Sequence, residues 1–535
     1  MPRHSPTSTA IDSSAVESTS LGAAELARRI AAGDFSSREV VDAHIQRIEQ
    51  INPRLNAVCL TRFDQARKEA SAADDRQAAG EPLGPLHGVP ITIKECFHLK
   101  GTPASIGVRR FAKELHTDDA LMVARLRASG AIVLGKTNIP QLMLLHETDN
   151  PVYGRTNNPW DLTRGPGGSS GGEAAIIAAC GSPLGLGNDL GGSIRVPAHF
   201  CGIHGIKPTT GRLSNHGTRA GWNGMEAIGN QPGPLARSVE DLVLAMRILA
   251  APGQDERDHV VPPVPLRDPA DVTVEKLRIG FWKDDGFFAA APAMRRAVDE
   301  AVAALKGRGV EVEAFTPPDI SEAMRLYFAI VSADGAADSR RLLGNSPRDW
   351  RIRRLLLLAR IPNLLRGGIA GLLGLVGQKN LAWLLRVTGT LSADGYWQLT
   401  KQRERYTTDF LAQLRARRLD AVICPPFALP ALKHGATDNL VTAASYAMLF
   451  NLLNVPCGVL STTRVAPGEE SDRAPSSDLF VRRALEVEQG SAGLPVGVQV
   501  AAPHWREDVV LAVMQTLEGQ LASRTDSPPN AIPPI

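Results

Sequence analysis

Two glycine-rich turns that contain serine carry the clearest chemical signal in the sequence. The first is GGSSGG at 167–172, and the second is DLGGS at 189–193. Glycines before a serine let consecutive backbone N–H groups converge on one point, which is the geometry that an oxyanion hole requires. The predicted oxyanion hole consists of Leu190, Gly191, Gly192 and Ser193, with the Ser193 hydroxyl beside it.

The first turn is predicted to open a helix. Ser170 and Glu173 have the spacing of a capping box, and the Ala/Ile-rich run that follows favours an α-helix. The N–H groups at the start of this helix would point at whatever lies in front of the loop. No Lys-Ser/Thr pair follows the glycines, which disfavours a phosphate-binding loop.

A serine hydroxyl needs a base before it can attack a carbonyl carbon, and Lys94 is the preferred candidate. The apolar run VPITIK (89–94) predicts a strand in which Ile91 and Ile93 share one face. Thr92 and Lys94 share the other face, so the ammonium group would enter the interior. Burial lowers a lysine pKa and allows the neutral amine to act as a base. The alternative is a surface lysine that reaches solvent from the strand end.

Histidine is the usual base for a serine nucleophile, and the chain contains 12 histidines. None of them lies in either glycine turn. The GGSSGG loop matches the G-x-S-x-G pattern of α/β-hydrolases, so a Ser-His-Asp esterase is an alternative. However, the approach to the loop, NNPWDLTRGPG, contains two prolines and lacks the buried strand that precedes a nucleophile elbow.

Short apolar runs alternate with long helical patterns, which is typical of an α/β protein with a largely buried mixed sheet. The predicted strands are 89–94, 131–135, 277–282, 310–315, 419–425, 456–461 and 494–501. We expect one α/β/α domain over residues 19–523. Polar or proline-rich tails at 1–18 and 524–535 are expected to be mobile and disordered.

The composition excludes several functional classes. A net charge of +3, from 59 basic and 56 acidic residues, provides no field that would attract nucleic acid. The six cysteines form no C-x-x-C pair and no zinc-type set with histidines at metal-ligand spacing, so we expect no metal site and no cofactor. The N-terminal segment has no apolar signal region, which predicts a cytoplasmic location. The sequence also lacks a run of ~18 uncharged apolar residues, so we expect no membrane-spanning helix.

Taken together, these segments resemble the amidase signature family. That family carries a lysine after an apolar strand, a GGSSGG loop and a G-[STND]-D-x-G-G-S-[IV]-R-x-P turn. This sequence has Lys94, residues 167–172 and residues 187–197 at the corresponding places. The likeness covers nearly the whole chain and is greatest to the fatty-acid amide hydrolase branch, through segments 138–161 and 444–465.

The resemblance implies a role for each polar residue of the two turns. Ser193 would be the nucleophile, Ser169 the proton shuttle and Lys94 the base, and Ser169 precedes Ser193 by the 24 positions that the family shows. A cis peptide is implied between Gly168 and Ser169. Asn188 stands where relatives commonly have Thr or Ser, and we expect it to preserve a hydrogen bond. The residues implied to support the site are Ser170, Asp189 and Arg195, the last two of which could also form an ordinary ion pair.

A hydrophobic substrate is expected from the apolar residues near these turns. The predicted lining residues of an apolar funnel are Met143, Leu144, Trp222 and Ile228. Residues 350–390 form apolar stretches interrupted by arginines, which forbid a spanning helix. By the family likeness, we interpret this insertion as a helical cap over the funnel that is able to contact a membrane surface, with plain buried core as the alternative.

The sequence therefore predicts a serine amidohydrolase that cleaves hydrophobic acyl or aryl amides through an acyl-enzyme. Esters, carbamates and urethanes present a similar carbonyl group and stay open as substrates. A non-autonomous subunit of a tRNA-dependent amidotransferase is the other alternative, disfavoured by the 350–390 insertion and by the absence of a basic surface. Both a monomer and a homodimer are compatible with the sequence.

Overall fold

The computed structural model describes residues 13–521 and 533–534. The strands are β1 (Val58–Thr61), β2 (Pro90–Lys94), β3 (Ile132–Thr137), β4 (Asp149–Asn150), β5 (Gly154–Arg155), β6 (Leu184–Asp189), β7 (His204–Lys207), β8 (Gln231–Ala236), β9 (Arg278–Phe281), β10 (Glu311–Ala314), β11 (Ala421–Cys424), β12 (Cys457–Arg464) and β13 (Pro495–Ala501). All the strands predicted from the sequence are present.

Helices connect most of these strands. They are α1 (Ser13–Ser20), α2 (Ala23–Ala32), α3 (Ser37–Leu55), α4 (Phe63–Ala78), α5 (Leu121–Ala128), α6 (Gly171–Ala178), α7 (Arg195–Cys201), α8 (Val239–Leu249), α9 (Pro292–Gly307), α10 (Ile320–Val331), α11 (Ala337–Leu343), α12 (Trp350–Ala359), α13 (Asn363–Leu375), α14 (Lys379–Val387), α15 (Ala393–Ala416), α16 (Ser445–Leu452), α17 (Leu479–Glu488) and α18 (Glu507–Leu521). Helices α10 to α15 follow one another between β10 and β11. The predicted α/β class is confirmed.

Eleven of the strands form one mixed sheet, in the order β1-β3-β2-β6-β8-β7-β12-β13-β11-β9-β10. β2 pairs in parallel with β3 and β6, and β9 pairs in parallel with β10 and β11. The other neighbours in this sheet are antiparallel. Both faces are covered, because Val133 of β3 packs in one apolar cluster while Ile132 and Leu134 pack in another.

The N-terminal part of the domain begins earlier than predicted. The expectation of a mobile tail over 1–18 is wrong for residues 13–18, which lie in α1. Arg237 donates to the carbonyl groups of Thr19 (3.1 Å) and Leu21 (2.7 Å), so a cation stabilises the end of this helix. Residues 1–12 lie outside the described residues, as does the predicted tail 524–535 apart from 533–534.

Two neighbouring strands position the chemistry that the sequence predicts. β2 and β6 run in parallel, so their carboxyl ends meet at one edge of the sheet. β2 ends at Lys94, and β6 ends at Asp189, directly before the DLGGS turn. The candidate base and the candidate nucleophile therefore approach each other from adjacent strands.

Candidate active site

Lys94 is fully buried at the carboxyl end of β2. Its Nζ lies 2.7 Å from Ser169 Oγ, 2.9 Å from Ser170 Oγ and 2.6 Å from Asn188 Oδ1. Burial lowers the pKa of Lys94 to about 8, because desolvation disfavours the ammonium form. The prediction that this lysine enters the interior is confirmed, and the surface alternative is wrong.

The GGSSGG loop meets Lys94 through both of its serines. The Gly168–Ser169 peptide is cis, as the family likeness implies. Ser170 precedes helix α6, but its side chain makes no capping hydrogen bond. Its hydroxyl instead contacts Lys94 Nζ and the carbonyl oxygen of Asn188 (3.3 Å). Ser170 therefore supports the lysine, as expected from the resemblance.

The predicted capping box of Ser170 and Glu173 is wrong. Glu173 is fully buried under the sheet, where its carboxyl group accepts from Thr92 Oγ1 (2.7 Å) and Thr137 Oγ1 (3.0 Å). Burial raises the pKa of Glu173 to about 8. A Cβ atom at Gly185 of β6 would lie 2.1 Å from Glu173 Oε2, so only glycine leaves room for this carboxyl group. Glu173 thus ties α6 to β2 and β3.

The turn at 189–193 is organised by a buried carboxylate. Asp189 accepts from the N–H groups of Gly192 (2.8 Å) and Ile194 (3.1 Å), and Arg195 Nε donates to it at 3.0 Å. Both side chains of this ion pair are fully buried. Burial alone would raise the pKa of Asp189, but the Arg195 guanidinium outweighs burial and holds that pKa well below its ordinary value.

The predicted oxyanion hole needs one correction. The N–H group of Gly192 donates to Asp189, so it does not serve as an oxyanion donor in this geometry. Gly192 has a φ of +102°, a backbone conformation that favours glycine. The remaining candidate donors are the N–H groups of Leu190, Gly191 and Ser193. Ser193 is joined to the first loop, because Ser170 N donates to the Ser193 carbonyl at 3.1 Å.

A cavity of about 240 Å³ opens beside Ser193, Gly191 and Leu190. Three of the predicted substrate residues line it, namely Met143, Leu144 and Trp222. The fourth, Ile228, is wrong as a lining residue: it is fully buried and packs in the main apolar core. Most of the remaining wall is aliphatic or aromatic, so the cavity offers an apolar surface to a substrate.

The 350–390 insertion forms α12, α13 and α14, which we call the cap helices. Their inner residues line the cavity, including Ile352, Leu356 and Leu385. Arg351 is buried and pairs with Glu147 and Asp149, both at 2.7 Å. The outer surface exposes large apolar side chains: Trp350, Leu357, Leu364, Leu365, Leu372, Leu375 and Val376. The insertion therefore has an inner face that lines the cavity and an outer face that is exposed to solvent.

Over the described residues, no single helix is long and apolar enough to cross a membrane. Helices α12 and α13 reach the required length and apolarity only as a pair, and a bend of 111° separates them. Arg366 of α13 is buried and donates to main-chain carbonyls of Leu358 (2.8 Å) and Ile361 (3.0 Å). This guanidinium holds the bend between the two helices.

Sequence reasoning gave no role to two residues at the site. Tyr327 of α10 donates to the Leu190 carbonyl (3.2 Å), and His146 Nε2 bonds to the Gly191 carbonyl (2.9 Å). Tyr327 is far from the turn in sequence, so no local pattern could have revealed it. His146 lies in the 138–161 segment of the family likeness, which was the available signal. Asn188, which stands where relatives commonly have Thr or Ser, makes a hydrogen bond as expected, and its partner is Lys94.

The fold agrees with comparisons to known proteins. The model of the Amidase family matches residues 39–511, and the chain therefore belongs to the amidase signature family and is an amide-hydrolysing enzyme. It is 36% identical to fatty-acid amide hydrolase 1 of Sus scrofa over 506 residues, which cover 93% of this chain and 85% of the relative. A solved structure of fatty acid amide hydrolase matches with a TM-score of 0.84 and 27% identity, over 97% of this chain and 87% of that one.

A second group of relatives bears on the alternatives. A glutamyl-tRNA(Gln) amidotransferase subunit of Salinispora arenicola is 33% identical over 522 residues, covering 95% of this chain and 98% of the relative. Family membership excludes the α/β-hydrolase alternative. In the structure, His146 bonds to a main-chain carbonyl rather than to a serine hydroxyl.

Proposed function

We propose that this enzyme hydrolyses hydrophobic acyl or aryl amides, with Ser193 as nucleophile, Ser169 as proton shuttle and Lys94 as base. The observation that carries the proposal is the fully buried Lys94, whose Nζ lies 2.7 Å from Ser169 Oγ next to the apolar cavity that Ser193 lines. A buried lysine with a lowered pKa is suited to accept a proton near neutral pH.

The hydrogen bonds of Lys94 fit a neutral amine. A neutral amine has two N–H donors and one lone pair, whereas an ammonium group has only donors. The two donors satisfy Ser170 Oγ and Asn188 Oδ1, at 2.9 and 2.6 Å. In the proposed neutral form, the lone pair would accept from the hydroxyl group of Ser169, whose Oγ lies 2.7 Å from Nζ. Ser169 is left with lone pairs that can accept the proton of Ser193.

Acylation follows from this relay. Ser193 Oγ attacks the amide carbonyl carbon, its proton passes to Ser169, and the Ser169 proton passes to Lys94 Nζ. The tetrahedral intermediate carries its negative oxygen against the candidate donors, which are the N–H groups of Leu190, Gly191 and Ser193. Its collapse breaks the C–N bond, and the lysine returns the proton through Ser169 to the departing nitrogen. Water then attacks the acyl-enzyme through the same relay, which releases the acid and restores Ser193.

The amidotransferase alternative is tested by the purified chain alone. An autonomous hydrolase should cleave a hydrophobic p-nitroanilide without a partner protein, whereas a subunit would need its partners. Ser193→Ala should abolish the activity, because no other group in the proposed site forms the acyl-enzyme. Sustained cleavage by Ser193→Ala would contradict the assignment of the nucleophile. Absence of activity in the parent chain against amides, esters and carbamates would contradict the proposed function.

Longer acyl chains should be better substrates. For a series of p-nitroanilides from acetyl to octanoyl, kcat/KM should rise about fourfold per methylene, since each buried methylene contributes about 0.8 kcal/mol. The rise should end when the chain fills the cavity. A matched acyl group with an ether oxygen near its end serves as the control and should lose this gain. If the acetyl substrate equals or exceeds the longest one, the apolar cavity is not the acyl site.

Exposed cap leucines should tolerate polar replacement. Leu364 and Leu375 are 92% and 85% exposed, so serine at either position should change the free energy of unfolding by less than about 0.5 kcal/mol. Leu385 is 4% exposed and packs with Ala370 and Ala382, so Leu385→Ser is the matched control and should cost about 2–5 kcal/mol. Urea unfolding measures all three. Similar losses at the three sites would show that the outer leucines are core.

We also propose that the outer face of the cap helices contacts a lipid surface. Its exposed leucines are accompanied by exposed cations at Arg353, Arg360 and Arg386, a combination suited to an anionic interface. Sedimentation with vesicles of phosphatidylcholine and phosphatidylserine should bring down the parent chain. A double Leu364→Ser/Leu375→Ser variant should sediment less. Equal sedimentation of the two proteins, or none for either, would contradict this contact.

A further inference from the structure

Two successive carbonyl groups of the 190–193 turn, which we call the oxyanion turn, each accept a hydrogen bond from a different side chain. The carbonyl of Leu190 accepts from Tyr327 Oη, and that of Gly191 accepts from His146 Nε2. In a trans peptide the C=O and N–H groups point in opposite directions, so a partner on the carbonyl fixes the direction of the N–H group. Tyr327 therefore orients the N–H group of Gly191, and His146 orients that of Gly192 toward Asp189.

The Gly191–Gly192 peptide is the one in this turn that most needs an external restraint. It lies between two glycines, which have no side chain to limit rotation of the peptide plane. A rotated plane would break the hydrogen bond from the Gly192 N–H group to Asp189 and turn the Gly191 carbonyl oxygen toward that carboxylate. The flanking N–H groups of Gly191 and Ser193 would then lose the orientation that the oxyanion needs. A donor that holds the Gly191 carbonyl in place would prevent the rotation.

We propose that His146 is a positioning residue: it holds the Gly191–Gly192 peptide and thereby keeps the flanking N–H groups of Gly191 and Ser193 in the orientation that stabilises the oxyanion. The inference rests on the proposed function, since it assigns His146 a part in the same reaction. His146 acts through the turn and does not exchange a proton with the substrate.

The chemistry of the imidazole group fits this role. A carbonyl oxygen only accepts, so His146 Nε2 carries the proton and Nδ1 does not. Nδ1 has no hydrogen-bond partner among the residues that the structure describes. Burial lowers the pKa of His146, so the ring stays neutral and keeps this tautomer at neutral pH. The ring also packs edge-on against Phe427, with 5.8 Å between centroids.

The segment that carries His146 is fixed on several sides. The N–H group of His146 donates to Thr437 Oγ1 at 3.1 Å, and the next residue, Glu147, pairs with Arg351 of cap helix α12 at 2.7 Å. The segment also lies against the first loop, because a Cβ atom at Gly168 would fall 2.9 Å from Glu147 N. His146 is thus held between the cap helices, the GGSSGG loop and the turn that it orients.

Replacement of His146 separates this role from a merely structural one. His146→Leu should lower kcat about 10- to 100-fold, less than the about 10²–10³-fold for removing an oxyanion donor itself. KM should change little, because the interaction matters mainly in the transition state. His146→Gln, whose Nε2 can occupy nearly the same place, should recover most of the loss. His44→Leu is the matched control: like His146, His44 is buried, but it bonds to Val40 in α3, so kcat should stay unchanged.

A boronic acid with the acyl chain of the substrate provides the second measurement. It forms a tetrahedral adduct with the nucleophile and places an oxygen in the oxyanion position, whereas a matched primary alcohol only fills the cavity. The inhibition constant of the boronic acid should rise in His146→Leu by the same factor as kcat/KM falls. The inhibition constant of the alcohol should not change.

The outcomes distinguish the inference from the proposed function. Loss of kcat in His146→Leu with unchanged affinity for the boronic acid would overturn the inference, as would equal losses in the Leu and Gln variants. Full activity of His146→Leu would overturn it as well. If His146→Leu does not fold, His146→Asn, whose amide is too short to reach Gly191, replaces it in the comparison with His146→Gln. An inactive parent chain would instead contradict the proposed function.

Discussion

Replacing Lys94 with alanine is expected to slow the cleavage of a p-nitroanilide more than that of the matched p-nitrophenyl ester. Both substrates lose the base that draws the proton from Ser193 through Ser169, a loss of about 10²–10⁴-fold. The anilide also loses the acid that protonates the departing nitrogen. A p-nitrophenolate leaves without protonation, so the anilide-to-ester ratio of kcat/KM should fall in the variant.

The matched control for this prediction is Lys207→Ala. Lys207 is also fully buried, burial likewise lowers its pKa to about 8, and its Nζ donates to the Pro208 carbonyl rather than to a serine. Its anilide-to-ester ratio should equal that of the parent even if stability declines. Equal losses on both substrates in Lys94→Ala would remove the lysine from the acid role, and an unimpaired anilide rate would remove it from the mechanism.

The pH profile of the parent enzyme checks the same assignment independently. The base must be neutral, and its pKa is lowered to about 8. The value of kcat/KM should therefore be low in acid, rise with pH, and reach half of its maximum near pH 8. The ester activity that remains in Lys94→Ala should not show this rise of kcat/KM near pH 8. A parent profile that is flat between pH 6 and 9 would show that no group with this pKa governs the reaction.

Local patterns predicted the elements whose residues alternate in polarity. Ile91 and Ile93 face the core while Thr92 and Lys94 face α6 and its preceding loop, as the period of two requires. The spacing of Ser36 and Glu39 likewise predicts a capping box at the start of α3, and the structure contains it. Ser36 is half-buried and Glu39 is exposed, and both side chains bond to the local backbone in this box.

Residues whose partners lie far along the chain could not be assigned in this way. Ser170 and Glu173 have the same spacing as the true capping box, but burial directs them to Lys94 and to Thr92. Strand β6 was missed because Gly185 and Gly187 interrupt the apolar pattern. A Cβ atom at either glycine would approach Glu173 or Ser170 to within 2.8 Å, so tertiary contacts determine these residues.

Breaking the ion pair between Asp189 and Arg195 is expected to have the largest effect on the free energy of unfolding. Arg195→Met should reduce the free energy of unfolding by about 3–5 kcal/mol, since it leaves a buried carboxylate without its counter-charge. The variant also removes the donors that Arg195 supplies to Ala447 O (2.9 Å) and Asn451 Oδ1 (2.6 Å). As a control, Arg247→Met breaks an exposed pair with Asp268 and should cost less than about 1 kcal/mol.

The pH dependence of this loss identifies its cause. In the parent, the pKa of Asp189 lies below the unfolded value of about 3.9, so the pair stabilises the fold above that pH and the stabilisation is lost as pH falls further. Without Arg195, burial should raise the pKa of Asp189 above the unfolded value, and protonation then relieves the buried charge. The deficit of Arg195→Met should therefore shrink on acidification from pH 7 to 5.

Asp189→Asn/Arg195→Met should be more stable than the single variant at pH 7, because it has no buried charge to compensate. A deficit that is constant with pH and unchanged in the double variant would show that lost packing, rather than the uncompensated carboxylate, destabilises the protein.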